Sequence, residues 1–119
     1  MTMYRSNKER GTSFERNLVK RLGELGFWAH FITPDDRGAQ PFDVIAVKDG
    51  EAWAIECKTL DDKAKFIPLT RLEENQQLAF EKWLNCGNRH AFVAVMHKDR
   101  IRLVPYVKLR DEGKVYFDD

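Results

Sequence analysis

Apolar residues near the start of the chain recur at helical spacing. The recurring positions are Phe14, Leu18, Leu22 and Leu25, and Gly26 ends the pattern. This period is that of one face of an α-helix. Thr12-Ser13-Phe14-Glu15 has the form of a capping box, in which the first and fourth residues satisfy each other's backbone amides. We therefore predict a first helix over about residues 12–25.

Three segments after this helix have the composition of β-strands. They run from Phe27 to Thr33, from Phe42 to Lys48 and from Glu51 to Lys58. The second and third are separated by Asp49-Gly50, a dipeptide typical of two-residue hairpin turns. The stretch from Val44 to Val47 is continuously apolar, which suits a strand inside the sheet that is buried on both faces.

The second half of the chain predicts another helix. The stretch from Thr59 to Leu69 is less regular, and Thr70-Arg71-Leu72-Glu73 has the form of a second capping box. The helix that follows extends to about Asn85, and one of its faces contains Leu72, Gln76, Ala79, Phe80 and Trp83.

Two more strands follow this helix, from Ala91 to His97 and from Ile101 to Tyr106, and the tail from Val107 adds a short edge element. The resulting order is αβββαββ. This order predicts an α/β fold in which a central mixed sheet is flanked by helices.

Composition limits the class of protein. The chain has 119 residues, of which 33% are charged and 43% are apolar, as in soluble globular domains. No apolar run approaches the roughly 20 residues that span a bilayer, and the first ten residues lack a hydrophobic signal region. We expect one domain over residues 1–119, with residues 1–10 as a flexible basic arm, in the cytoplasm and away from membranes.

The first 26 residues are more basic than the rest. The basic residues are Arg5, Lys8, Arg10, Arg16, Lys20 and Arg21, against Glu9, Glu15 and Glu24. A basic surface attracts phosphate backbones, but a solvated helix face has a similar composition. Binding of nucleic acid and a plain solvated surface both stay open at this point.

The hairpin brings two acidic residues together. With a two-residue turn at positions 49 and 50, paired residue numbers sum to 99, so Asp43 lies opposite Glu56. Like charges at this position destabilise a sheet, because their Cβ atoms are only about 5 Å apart. The arrangement predicts a cation between the two acids. Lys58 projects from the same face, because side chains alternate along a strand.

A divalent metal ion is the simplest such cation. The Cys57 side chain is predicted to point to the opposite face, but its backbone carbonyl lies beside the acids and can bind a metal. Carboxylate, carbonyl and water oxygens suit Mg²⁺ or Mn²⁺ rather than Zn²⁺. A metal ion held by Asp43 and Glu56 would serve phosphodiester hydrolysis, with Lys58 positioning or deprotonating the attacking water. A simple ion pair between Lys58 and Glu56 is the alternative.

Four segments resemble the PD-(D/E)xK nuclease superfamily, and in particular its Holliday junction resolvase branch of archaeal type or recombination protein U type. They are Lys8 to Arg16, Phe42-Asp43-Val44-Ile45-Ala46, Ile55-Glu56-Cys57-Lys58-Thr59, and Phe66-Ile67-Pro68-Leu69 followed by Gln76. The insertion of Phe42 between Pro41 and Asp43 is a small departure from the pattern. The resemblance covers roughly residues 8–106.

The resemblance implies a restriction-endonuclease-like fold and a metal-dependent endonuclease that hydrolyses phosphodiester bonds of branched DNA. The most concrete expectation is a Holliday junction resolvase, a crossover junction endodeoxyribonuclease, which acts as a homodimer with Mg²⁺ or with Mn²⁺ as a substitute. The implied catalytic residues are Glu15, Asp43, Glu56, Lys58 and Gln76. Asp43, Glu56 and the Cys57 carbonyl would bind the metal, and Glu15 would reach it through water. The expected DNA-binding residues are Arg5, Lys8, Arg10, Arg16 and Arg37.

Several alternatives stay open. Capping alone explains Glu15, a backbone partner explains Gln76, and an ordinary surface loop explains Arg37. The function is alternatively that of another structure-selective or nicking DNA nuclease with the same core. A DNA-binding module that does not cleave is the third hypothesis, although such a module has no need for opposed acids. The small size suits a phage or mobile-element protein.

Overall fold

A computed structural model of the chain describes residues 7–32 and 41–117, with side chains from residue 13 onward in the first helix. The helices are α1 Asn7–Glu24, α2 Glu74–Asn85 and α3 Tyr106–Glu112, with a short 3₁₀ turn at Leu69–Arg71. The strands are β1 Trp28–Phe31, β2 Val44–Lys48, β3 Glu51–Thr59, β4 Phe66–Pro68, β5 His90–His97, β6 Arg100–Pro105 and β7 Lys114–Tyr116.

Five strands form one mixed sheet in the order β1-β2-β3-β5-β6. The β3 and β5 strands pair in parallel, and the other neighbours pair antiparallel. The parallel pair requires a crossover connection, and this connection contains α2. The predicted α/β class and the central mixed sheet are therefore confirmed. The strand β2 lies between β1 and β3, inside the sheet, as its apolar run predicts.

The β2–β3 hairpin has the predicted register. Val44 pairs with Ile55 and Lys48 pairs with Glu51, so the residue numbers sum to 99. Both turn residues have positive φ, 53° at Asp49 and 77° at Gly50, as a type I′ turn requires. This turn fixes which residues of the two strands face each other.

Helices cover both faces of the sheet. On one side, α1 inserts apolar side chains against β2, β3 and β5; this cluster includes Phe14, Leu18, Leu22, Val44, Ala46, Ile55 and Ala94. On the other side, α2 and α3 pack in a second cluster, which includes Phe80, Tyr106, Leu109, Ala54, Val93 and Val95. The two clusters hold the sheet rigidly between helical layers. Leu25 is half exposed, so the predicted stripe of α1 ends at Leu22.

Both predicted capping boxes are wrong. The helix α1 begins at Asn7, so Thr12 lies inside it and is not its first cap. Thr70 belongs to the 3₁₀ turn, and the residue that caps α2 is Glu73, which forms a capping box with Gln76. The Gln76 side chain accepts a hydrogen bond from the Glu73 amide at 2.9 Å. The Glu-x-x-Gln spacing therefore replaces the predicted Thr-x-x-Glu spacing.

Strand alternation predicts that Phe42 lies on the same face as Val44 and Ala46, and this expectation is wrong. Its ring packs on the α2 side of the sheet, with its centroid 5.1 Å from that of Phe80 and 5.5 Å from that of Trp83. Val44 packs on the α1 side. Phe42 precedes the first residue of β2, so strand alternation does not govern its direction.

Elements beyond the predicted order complete the fold. The strand β4 pairs with β7 in a second, two-stranded sheet, so the tail does add an edge element. The helix α3 was not predicted; it starts after Pro105 and ends at Gly113, which has a φ of 77°. Within the described residues, no helix is long and apolar enough to cross a membrane.

Candidate active site

Asp43 lies just before β2, between the ends of β1 and β3. Its amide donates to the Ile55 carbonyl at 3.2 Å, and its carbonyl accepts from the Ile32 amide at 2.8 Å. Its carboxylate Oδ2 accepts from the Cys57 amide at 2.8 Å. The carboxylate thus extends the hydrogen bonding between the two strands by one residue, which holds it in place.

Glu56 is buried beside Asp43. It is 4% exposed, and its Oε2 atom accepts a hydrogen bond from Gln76 Nε2 at 2.8 Å. Burial raises the pKa of Glu56 to about 8, and the charge of Asp43 and a side-chain hydrogen bond with it act in the same direction, while Lys58 opposes them. Two acids therefore meet in a place where both cannot easily be ionised.

Lys58 lies on the Glu56 side of this pair. Its Nζ atom is 3.7 Å from Glu56 Oε2, and its side chain is only 15% exposed. The separation exceeds a hydrogen-bond distance, so the contact is an ion pair without a direct bond. The predicted common face of Lys58 and Glu56 is confirmed by this contact, which leaves both the ion-pair role and the catalytic role available.

Glu15 approaches from α1, on the other side of the sheet. It is half-buried, and burial raises its pKa, with a second contribution from the charge of Asp43. A capping role is removed for Glu15, because α1 begins eight residues earlier. The structure therefore brings Glu15 into the electrostatic range of the acid pair.

The Cys57 side chain packs with the α1 cluster, on the face opposite Glu56, as predicted. Burial raises the pKa of its thiol, and the charges of Asp43, Glu15 and Glu56 raise it further. The amide and carbonyl of one strand residue face the same neighbouring strand. Because the Cys57 amide binds Asp43, the Cys57 carbonyl is directed to the Asp43 side as well.

The donor set fits a hydrated divalent ion. Among the side chains of residues 13–32 and 41–117, no group of three or more His, Cys, Asp and Glu is arranged to hold a metal. The available donors are the Asp43 and Glu56 carboxylates, 8% and 4% exposed, and the Cys57 carbonyl. Burial and the charge of Asp43 raise the pKa of Glu56, so a cation bound beside it would favour its ionised form. Such oxygen donors match the preferences of Mg²⁺.

The predicted DNA-binding residues are only partly described. Arg5 and Arg37 lie outside the described residues. Lys8 and Arg10 belong to the first turns of α1, where only the backbone is described. Arg16 is exposed on α1, next to Glu15. Their contacts with DNA stay predictions, and so does the flexible arm over residues 1–10, although residues 7–10 belong to α1.

One residue near the site was not predicted. Arg71, in the 3₁₀ turn, donates from Nη2 to the carbonyl of Thr59 at 2.8 Å. Thr59 directly follows Lys58 and is the last residue of β3. A charged residue between a short strand and a helix gives no periodic signal, so the sequence alone did not reveal this contact.

Comparison with known proteins agrees with this geometry. The family model described as archaeal Holliday junction resolvase (Hjc) matches residues 6–118. The structure of Hjc from Archaeoglobus fulgidus, a Holliday junction resolvase from an archaeal hyperthermophile, is similar with a TM-score of 0.62 and 27% identity, over 80% of this chain and 76% of that one. No curated protein gives a significant match. The resemblance predicted from the four sequence segments is confirmed, and the chain belongs to the archaeal Holliday junction resolvase family.

Proposed function

We propose that this protein is a Mg²⁺-dependent endonuclease that resolves Holliday junctions by hydrolysing phosphodiester bonds at the Asp43–Glu56 site. The observation that carries the proposal is the buried acid pair, with Lys58 and Gln76 both directed at Glu56. A protein that only binds DNA has no need to bury two carboxylates against each other, because this costs stability.

Asp43, Glu56 and the Cys57 carbonyl would hold the ion, and Mn²⁺ would substitute for it. Bound Mg²⁺ supplies electrostatic stabilisation of the charge that develops on the phosphate and lowers the pKa of the attacking water. Glu56 retains a proton at neutral pH in the metal-free protein, since its pKa is about 8. Ion binding therefore competes with a proton at Glu56.

Lys58 is placed to act on the reacting groups. Its amine lies beside Glu56 in a mostly buried position, where it can orient the attacking water or accept its proton. Glu15 would reach the same site through water, and its electrostatic interaction with Asp43 supports this placement. Both roles are proposals that rest on position.

Gln76 acts as a positioning residue. Its Nε2 atom binds Glu56, and its Oε1 atom accepts from the Glu73 amide at the start of α2. Both ends of the side-chain amide are therefore occupied, which fixes its orientation and that of Glu56. Gln76 can therefore have both a backbone partner and a role in the site, because its Oε1 atom binds the Glu73 amide and its Nε2 atom binds Glu56.

A homodimer fits the outer surface of α2. Glu74, Leu78 and Lys82 are spaced four residues apart on its exposed side, and Leu78 is 54% exposed. Two copies of α2 packed antiparallel around Leu78 would place Glu74 against Lys82 of the other copy, twice. A surface that is complementary to itself is what a two-fold dimer requires. A cavity of about 510 Å³ beside Leu78, which Phe42 and Trp83 also line, can receive the partner's apolar side chain.

Charge reversal tests this dimer surface. Glu74→Lys and Lys82→Glu should each weaken the dimer on the order of tenfold, because each creates two like-charge contacts. The double variant should restore wild-type association. Sedimentation equilibrium measures the dissociation constant, and three variants indistinguishable from wild type would exclude this surface.

Incubation of the purified protein with a labelled four-way junction, linear duplex and single strand, with and without Mg²⁺, tests the function. Symmetric nicks in the junction alone support resolution. Cleavage of every duplex supports the alternative of a less selective nuclease, and binding without any cut in Mg²⁺ or Mn²⁺ supports the binding module. A cytoplasmic location and a phage or mobile-element origin stay predictions.

A further inference from the structure

Arg71 holds the end of the strand that contains Lys58. Its guanidinium donates to the Thr59 carbonyl at 2.8 Å, and the residue is exposed. The contact joins the 3₁₀ turn before α2 to the last residue of β3. The guanidinium is therefore held one residue beyond Lys58, at the edge of the acid site.

Among the residues that the structure describes, Arg71 uses few of its hydrogen-bond donors. A guanidinium has five N–H donors. Arg110, in contrast, binds Glu81 and Asp111, and Arg89 binds Glu51. Among the described residues, Arg71 takes part in no ion pair. A carbonyl partner orients the group but leaves its full positive charge available.

Acidic residues close to Arg71 in sequence do not neutralise it. Glu73 is used as the cap of α2, where its side chain accepts from the amide of Gln76. A second opening beside Thr59, of about 430 Å³, is lined by Ser13, Asn17 and Lys98 but also by Asp62 and Asp99. The carboxylates make that opening a poor place for an anion. Arg71 is therefore better placed than Lys98 to bind a phosphate next to Lys58.

We propose that Arg71 binds a backbone phosphate of the cleaved strand, adjacent to the phosphate that is hydrolysed, while the Thr59 carbonyl fixes its guanidinium. This inference rests on the proposed function and names how the substrate strand is held at that site. Arginine suits the role because its planar group can bind two phosphate oxygens while a further N–H binds the carbonyl. The ligand class is a phosphodiester, read by charge and shape rather than by sequence.

Two substitutions separate charge from support. Arg71→Gln keeps an amide donor for Thr59 but removes the charge, and Arg71→Lys keeps the charge but removes the planar group. The control is Arg89→Gln, because Arg89 is exposed and pairs with Glu51 at the hairpin end of the sheet, away from the acid site. Thermal unfolding of each variant checks that it folds.

The readout is junction binding without divalent metal at several salt concentrations. Arg71→Gln should reduce the slope of log affinity against log salt by about 0.9, because one phosphate contact is lost. Arg71→Lys should keep the slope and lower the cleavage rate, and Arg89→Gln should change neither. A wild-type slope for folded Arg71→Gln would overturn the inference. If Arg71→Gln does not fold, the methylphosphonate experiment described next tests the inference with Arg71→Lys instead.

Neutral methylphosphonates, placed one at a time around the cut, locate the contact. Each replacement is combined with each Arg71 variant in a double-mutant cycle, in which coupling appears only where the two groups interact. Coupling at one phosphate beside the cut supports the inference, and coupling at none overturns it. Failure of the wild-type protein to cut in Mg²⁺ would instead reject the proposed function, since binding is measured separately.

Discussion

Strand β3 contains two glutamates with opposite electrostatic behaviour. Glu51, at its start, has its pKa lowered by its side-chain contacts with His90 and Arg89. Glu56, near its end, has its pKa raised to about 8 by burial and by Asp43. The residue type and the strand are the same. The difference shows that chemistry at this sheet depends on which end is covered and on what lies opposite.

The two ends also differ in how an acid is compensated. At the hairpin end, solvent, the Arg89 guanidinium and the nearby His90 imidazole stabilise ionised Glu51. At the other end, Glu56 has one lysine at 3.7 Å, one amide donor and a second acid. Only the second arrangement leaves negative charge for a metal ion to neutralise, which makes it the candidate catalytic site.

The largest expected effect is loss of cutting on Asp43→Asn. An amide cannot supply the charge that binds the ion, and a metal contributes several kcal/mol to such reactions, so we expect a fall of about 10³-fold or more. DNA binding should persist. The measurement is the single-turnover rate on a four-way junction in Mg²⁺.

Glu51→Gln is the matched control, because it removes a carboxylate from the same hairpin at the other end. It should leave the cutting rate unchanged. Full activity of a clean Asp43→Asn preparation would sink the assignment of Asp43, whereas an equal loss in Glu51→Gln would remove the contrast between the two ends.

The second effect concerns stability against pH in the metal-free protein. Because the folded-state pKa of Glu56 is raised to about 8, the folded protein binds more protons than the unfolded chain above the ordinary glutamate value of 4.5. The contribution of Glu56 to the free energy of unfolding is fully present below pH 4.5 and is lost as pH rises through about 8. The expected loss is a few kcal/mol at most.

Glu56→Gln should flatten this dependence, because glutamine does not titrate. Urea unfolding at several pH values between 4.5 and 8.5, without and with Mg²⁺, gives the comparison. Mg²⁺ should flatten the wild-type profile and leave the Glu56→Gln profile unchanged. Parallel profiles of the two proteins would show that Glu56 ionises normally in the folded state.

Much of this contrast could be predicted from the sequence. The Asp49-Gly50 turn fixes the register, and strand alternation puts Lys58 with Glu56. The burial of one glutamate and the exposure of the other could not be predicted, because both depend on long-range packing of the helices. The seven-residue α3 and the three-residue strands β4 and β7 are too short for a periodic signal. The cap of α2 was wrong because Thr70 competes with Glu73 as its start, and that of α1 was wrong because the helix begins at Asn7, ahead of the apolar stripe.

A smaller effect is expected from Gln76→Ala. This change removes the hydrogen bond to Glu56 Oε2 and one half of the α2 cap. Groups that orient metal-binding carboxylates typically change metal affinity or activity 10- to 100-fold. The rate as a function of Mg²⁺ concentration should therefore shift to higher concentration, with a smaller change at saturation.

The neighbouring Gln77 provides the control, since its Nε2 atom donates to the Leu72 carbonyl and not to Glu56. Gln77→Ala should keep the wild-type Mg²⁺ dependence. If the Mg²⁺ dependence of Gln76→Ala superimposed on that of Gln77→Ala, Gln76 would act only as a helix cap.

The smallest effect concerns Glu51, whose pKa shift has the opposite sign. Because its folded-state pKa is lowered, its contribution to stability is present above 4.5 and is lost as pH falls below that value. Glu51→Gln should therefore reduce stability slightly at neutral pH and not at strongly acidic pH, and added salt should shrink the difference, since Arg89 is exposed. The same urea series extended to pH 3 measures it. A Glu51→Gln profile that instead resembled that of Glu56→Gln would mean that position along β3 does not govern how its glutamates ionise.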